Sequence, residues 1–291
     1  MTSEEPLLRS MLFVPGNDPK LLTKAATTNA DAIILDLEDA VQTADQKKQA
    51  RELILNRLQS GEFTNSLVYC RLNDFDSHEL LLDLEAIATQ ELDGIVYPKA
   101  TGQDDVSFVD RTLTLIEQRY DITPGHFDIM PLIETPGGVL KTEAICSVSD
   151  RVVAVAFGCE DYVASLQGGL SSNVDHLMVP RSLIAMGARA AGVIPIDTVY
   201  KDIHNFEGFR SFIDTANKIG FEGSLTLHPE QVDIANEQYS PSQDDVEMAK
   251  KILLIAGKME EKSVDNVDNL FVGPPIIRQA EYILNRHSKV K

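Results

Sequence analysis

A chain of 291 residues with a formal net charge of −19 is long enough for one large α/β domain or two smaller ones. That charge excludes a nucleic-acid groove and an anionic membrane surface as partners, because both reward clustered Lys and Arg, so any anionic ligand must be gripped locally. With 43% hydrophobic and 24% charged residues, the composition is that of an ordinary globular protein.

Taken in chain order, short β-branched runs alternate with longer helical patterns. The opening MTSEEPLLRS has two acids and no long apolar stretch, and reads as neither signal peptide nor membrane span. The first strand is predicted at RSMLFV (9–14). Pro15 and Gly16 then turn the chain, and Asn17 or Asp18 can cap a helix with Lys20 and Lys24 on one face. AIILDLE (32–38) follows, ending in Asp36, Glu38 and Asp39, and leads to a helix at 46–59. SLVYCRLN (66–73) carries Arg71 and Asn73 at its end and precedes a helix at 78–90; GIVYPK (94–99) ends in Lys99. DIMPLIET (128–135) ends in Glu134, with Pro and two glycines behind it, and RVVAVAFG (151–158) is followed by Glu160 and Asp161 inside GCEDYVASLQGG. GVIPIDTV (192–199) carries Asp197, SLTLHP (224–229) carries His228, and helical patterns close the chain at 245–262 and 275–288. The Met, Phe and Leu residues on the helices read as core. Cys70, Cys146 and Cys159 sit in apolar runs, which suits buried reduced thiols in a cytoplasmic protein.

Eight strands alternating with helices match a (β/α)8 TIM barrel, with an open doubly wound sheet as the rival. Nearly every run ends in polar residues while its start is plain, as expected where chemistry gathers at the C-terminal rim of a barrel. No G-x-G-x-x-G follows the first strand, which further weakens a dinucleotide-binding sheet. The expected organisation is a barrel over residues 1–235 and a C-terminal helical extension over 236–291.

Strand alternation places Asp36 with Glu38, and Arg71 with Asn73, on common faces directed into the mouth. That ring would contain five carboxylates and at least two cations. A Mg2+ ion would relieve the repulsion, since it takes hard oxygen ligands and keeps water at its other positions. Glu134 and Asp161 can each supply one oxygen. The competing structural readings are Asp36, Glu38 and Asp39 as helix caps, Arg71 as an ion-pair partner of Asp36 or Glu38, and Lys20 and Lys24 as solvated lysines. His228 is left outside the catalytic set.

RSMLFVPGNDPK, DLEDAV, CRLN, PLIETPGGV, FGCEDY and LTLHPEQ, in this order over roughly residues 9 to 232, resemble the citrate lyase β-subunit and malyl-CoA/citramalyl-CoA lyase family of the HpcH/HpaI aldolase superfamily. The resemblance implies a Mg2+-dependent TIM-barrel lyase, commonly trimeric, that splits a 3-hydroxyacyl-CoA into a short acyl-CoA and a keto acid. It implies Glu134 and Asp161 as metal ligands, Arg71 and Glu134 bordering the keto-acid half of the substrate, and Lys20 and Lys24 on the coenzyme A phosphates. Glu38 and Asp39 are assigned to substrate binding, and Arg51 and Lys48 are weaker phosphate candidates. Arg71 can hold either a developing enolate oxygen or a carboxylate. In one place the chain departs from the pattern. DNLFVGPPIIRQA (268–280) has Gly273 where related lyases carry an acid/base aspartate, with Asp265 and Asp268 as possible substitutes upstream. The function classes are therefore a carbon–carbon lyase or a thioesterase of the same family, a metal-dependent aldolase on a free acid, and a non-catalytic barrel scaffold.

Overall fold

The structure is a computed structural model and describes residues 6–167, 175–257, 265–267 and 270–290. The glycines at 168 and 169 and Asp268 lie outside the described residues, and only the backbone of Asp265 is described. Contacts divide the chain into two compact units, with the boundary after Asn236.

The first unit is a closed barrel of eight parallel strands: β1 Ser10–Pro15, β2 Ala32–Asp36, β3 Leu67–Arg71, β4 Gly94–Tyr97, β5 Asp128–Ile133, β6 Ala154–Phe157, β7 Ile194–Asp197 and β8 Gly223–Thr226. Each strand pairs with its neighbours in sequence, and β1 pairs with both β2 and β8, so no edge remains open. Helices cover the outside, which buries both faces of the strands. This is why the runs are apolar throughout instead of alternating. Side chains of one parity fill the interior: Met11, Ala32 and Ile34, Tyr69, Val96, Met130 and Leu132, Ala154 and Ala156, Ile194 and Ile196, and Leu225. At the N-terminal end of the barrel, the Tyr69 hydroxyl donates to Asp128 at 3.0 Å.

The helix Ala44–Ser60 starts with a capping box of Thr43 and Gln46 and ends at Gly61, whose φ of 69° suits glycine. Thr43 is thus the cap of that helix, and the acids at 36, 38 and 39 serve elsewhere. The reading of the Met, Phe and Leu residues on the helices as core needs correction: Phe75, Leu115, Leu140 and Met186 are each at least 60% exposed, because they lie on outward helix faces.

In the second unit the helices Gln243–Ala256 and Pro274–Lys289 pack through Ala249, Ile252, Val272 and Ala280, and the strands Asp265–Val267 and Leu270–Val272 pair antiparallel. Ser242 caps the first of these helices and Gly273 precedes the second. Among the described residues no helix is long and apolar enough to cross a membrane.

Candidate active site

The C-terminal ends of the strands surround a cavity of about 580 Å3, whose lining includes Asp36, Asp39, Arg71, Glu134, Asp161 and Lys201. Interior parity explains much of this wall. Asp36 follows Ala32 and Ile34, Arg71 follows Tyr69, and Glu134 follows Met130 and Leu132, two residues apart each time.

Arg71 is the hub. Its Nε donates to Asp36 Oδ1 at 2.7 Å and its Nη2 to Asp36 Oδ2 at 2.8 Å, while Nη1 lies 3.0 Å from Glu38 Oε2 and donates to Asp39 Oδ2 at 3.1 Å. The guanidinium also lies 4.9 Å from the centre of the Phe13 ring. Burial works against the charge, but these carboxylates overcome it and hold the guanidinium firmly protonated. Asp36 closes its own turn by accepting from the backbone N–H groups of Glu38 and Ala40, so the two-pronged pair with Arg71 is anchored in backbone. Arg71 is therefore an ion-pair partner of Asp36 and Glu38, as the structural reading expects, and it also lines the cavity. Asp39 is the loosest partner, its side chain being 64% exposed.

Glu134 is 2% exposed, and Lys99 N–H donates to its Oε2 at 2.7 Å. Its carboxyl is pushed up to about 8, first by burial and then by the nearby charges of Glu38 and Asp161, the Lys99 hydrogen bond offsetting only part. Behind it lies Gly158, where a Cβ would meet Glu134 Oε1 at 2.6 Å; only glycine leaves the carboxylate its place. Asp161 sits in the first turn of the helix Cys159–Ser165 and joins the cavity wall. Glu38 is also pushed up by burial, against the pull of Arg71 and of Lys99, whose Nζ lies 2.9 Å away. Next to Asp161, the Cys159 thiol is pushed up to about 12 by burial and is not a ready nucleophile, and Glu160 pairs with Lys201 at 2.9 Å.

The structure places other predicted residues elsewhere. Asn73 does not share the mouth with Arg71, because β3 ends at Arg71 and the alternation stops there. Its backbone N–H and amide donate to Asp83 Oδ2 at 2.7 and 2.8 Å, and its Oδ1 accepts from Lys47. Arg51 is not a phosphate ligand but is buried against Asp83 and Glu79. Asp197 has the opposite parity to Ile196 and turns outward to Arg181, at 3.1 and 2.5 Å, which removes one acid from the expected ring. Its neighbour Thr198 lines the cavity instead. His228 sits beside Glu230 and His204 and is not among the lining residues. Lys20 and Lys24 are exposed on the helix Pro19–Ala25, which Asp18 caps, and from that helix it is Leu21 that reaches the cavity wall. Lys99 and Lys201 are two cations of this region to which the sequence assigns no role. Lys99 was visible there as a polar strand end, but nothing marked Lys201.

The fold and its rim define a (β/α)8-barrel protein with a carboxylate- and arginine-lined pocket at the C-terminal ends of the strands. The chain matches the HpcH/HpaI aldolase/citrate lyase family over residues 9–229 and belongs to that family. It is 34% identical over 282 residues to the citrate lyase subunit beta of Haemophilus influenzae, covering 96% of this chain and 97% of that one. It is 32% identical over 301 residues to an L-malyl-CoA/beta-methylmalyl-CoA lyase of Cereibacter sphaeroides, covering 96% and 94%. Among solved structures, the CitE protein of Mycobacterium tuberculosis, in complex with magnesium, acetoacetate and coenzyme A, aligns with a TM-score of 0.76 at 26% identity, covering 96% of this chain and 97% of that one.

Proposed function

We propose that the protein is a carbon–carbon lyase that splits a 3-hydroxyacyl-CoA of the citramalyl-, malyl- or citryl-CoA type into acetyl-CoA and a keto acid, with Mg2+ held by Glu134 and Asp161. The observation that carries the reading is Glu134, a buried carboxyl crowded by Glu38 and Asp161 and therefore reluctant to ionise until a cation arrives. The donor set fits a hard divalent ion. Gly158 keeps space at Glu134 Oε1, and two carboxylates leave the remaining positions to water and substrate oxygens, as magnesium prefers. Among the described residues no cluster of three or more His, Cys, Asp or Glu is assembled to hold a metal.

Cleavage removes the proton of the substrate hydroxyl and breaks the bond between the carbinol carbon and the carbon beside the thioester carbonyl. The carbinol carbon becomes the keto group, and the leaving thioester enolate takes up a proton to give acetyl-CoA. When bound, magnesium supplies Lewis acidity to the hydroxyl and the adjacent carboxylate. Arg71, held in place by Asp36, presents N–H donors to the enolate oxygen or to the keto-acid carboxylate. Asp39, the exposed partner of Arg71, is the carboxylate that a substrate anion would displace, and Glu38 holds the guanidinium's other edge. Lys20 and Lys24, exposed on a helix that reaches the cavity through Leu21, attract the coenzyme A phosphates. Gly273 offers no acid/base group at its position, which gives weight to a thioesterase or a scaffold as the second reading. A cytoplasmic homotrimer completes the proposal.

Incubation with Mg2+ and each of the three thioesters, followed by chromatography of acetyl-CoA and keto acid, is the test. Free CoA with intact hydroxy acid would replace the lyase by a thioesterase. Cleavage of the free hydroxy acid would point to an aldolase, and no product at all to a scaffold.

A further inference from the structure

Lys99 has a backbone that its residue type does not favour. It stands at φ 51°, in the left-handed region, as the third residue of a turn led by Tyr97 and Pro98, where glycine is the usual occupant. A lysine kept in such a conformation must be held there by its surroundings. Two contacts hold it: Nζ donates to Asp74 Oδ2 at 2.8 Å and lies 2.9 Å from Glu38 Oε1. The next N–H, that of Ala100, donates to Leu132 O at 3.2 Å and so ties the turn to β5, two residues before Glu134. The outcome of this geometry is that Lys99 N–H points at Glu134 Oε2 from 2.7 Å, while Gly158 bounds the other oxygen.

We infer that Lys99 is a positioning residue: its left-handed backbone, clamped by the side-chain contacts to Asp74 and Glu38, fixes the Glu134 carboxylate in the orientation from which it binds the metal. The inference rests on the proposed magnesium role of Glu134. Lys99 itself is not among the residues that line the cavity. The side chain acts through the turn, and the turn acts through one N–H, so the residue's type matters only as far as it keeps φ positive.

The test compares Lys99→Gly, Lys99→Ala and Lys99→Val. All three lack the ammonium and differ in how readily they adopt positive φ, glycine freely, alanine at a cost and the β-branched valine worst. Magnesium affinity by calorimetry is expected to fall in the order Gly, Ala, Val, with Ala on the order of fivefold below Gly, from the usual penalty of the left-handed region. A higher affinity in the glycine variant than in the alanine variant, both lacking the ammonium, is a pattern that a merely structural ion pair would not give. Equal affinity in all three variants overturns the inference. Crystal structures of the glycine and valine variants supply a readout that needs no metal. The position-99 N–H is expected on Glu134 in the first and withdrawn in the second; the same Glu134 contact in both would also overturn the inference. Should the wild-type protein bind no magnesium while the structures differ as expected, the metal reading fails and the positioning of Glu134 stands. If valine alone fails to fold, the glycine and alanine pair still decides.

Discussion

Loading the metal-free protein with Mg2+ at pH 7 should expel nearly one proton per site. With its carboxyl pushed up to about 8, Glu134 is protonated in about 0.9 of the molecules at pH 7, and a carboxylate must be ionised to ligate. The competing proton costs about 1.4 kcal/mol at that pH, so the apparent affinity should be roughly tenfold stronger at pH 9 than at pH 7. The same shift sets the stability of the metal-free fold. The folded carboxyl keeps its proton up to about 8 whereas an unperturbed one releases it near 4.5, so stability declines as pH rises through that window and magnesium restores it. Calorimetric titrations at pH 7 in PIPES and in imidazole, whose ionisation enthalpies differ, read the released proton directly. Identical binding enthalpies in the two buffers would refute the reasoning, because no proton would then be leaving a carboxyl that burial and neighbouring charge hold protonated.

Three further outcomes follow from the geometry. Gly158→Ala places a methyl group 2.6 Å from Glu134 Oε1, and should abolish measurable magnesium binding at a stability cost of about 1–3 kcal/mol; unaltered calorimetry would mean that Glu134 has another place to go. Arg71→Lys loses the two-pronged bond to Asp36 and leaves that 4%-exposed carboxylate poorly paired, so kcat/KM for the preferred thioester should drop by about 100-fold or more, and wild-type kinetics would remove Arg71 from the chemistry. Combining Lys20→Ala with Lys24→Ala should weaken CoA-thioester binding more at about 20 mM than at about 300 mM salt, because added salt shortens the range over which the lysines attract the phosphates, and a salt-independent loss would indicate packing instead.

The barrel was legible because strands buried on both faces write themselves as continuous apolar runs, and all eight fall where those runs predict. Their ends were less legible. SLVYCRLN continues to Asn73, whereas the strand stops at Arg71, and apolar Leu72 gives no hint of the change. The site divides along the same line. Parity counted to the last residue of β2 and β3, and one residue past β5, brought Asp36, Arg71 and Glu134 to one cavity. Carried two residues past β3 it misplaced Asn73, and position at a strand end, taken without parity, misplaced Asp197. The positive φ of Lys99 left no mark beyond the preceding proline, since lysine is not a residue that announces a left-handed turn.

The outward turn of Asp197 shapes the space that a substrate meets. With that acid sealed behind β7 against Arg181, the residues after β7 that reach the cavity are Thr198, Val199 and Lys201, whereas the lining carboxylates lie at the ends of β2, β5 and β6. The wall is thus uneven in sign: its acids crowd the arc beside Arg71 and beyond β5, and the arc after β7 brings no carboxylate of its own.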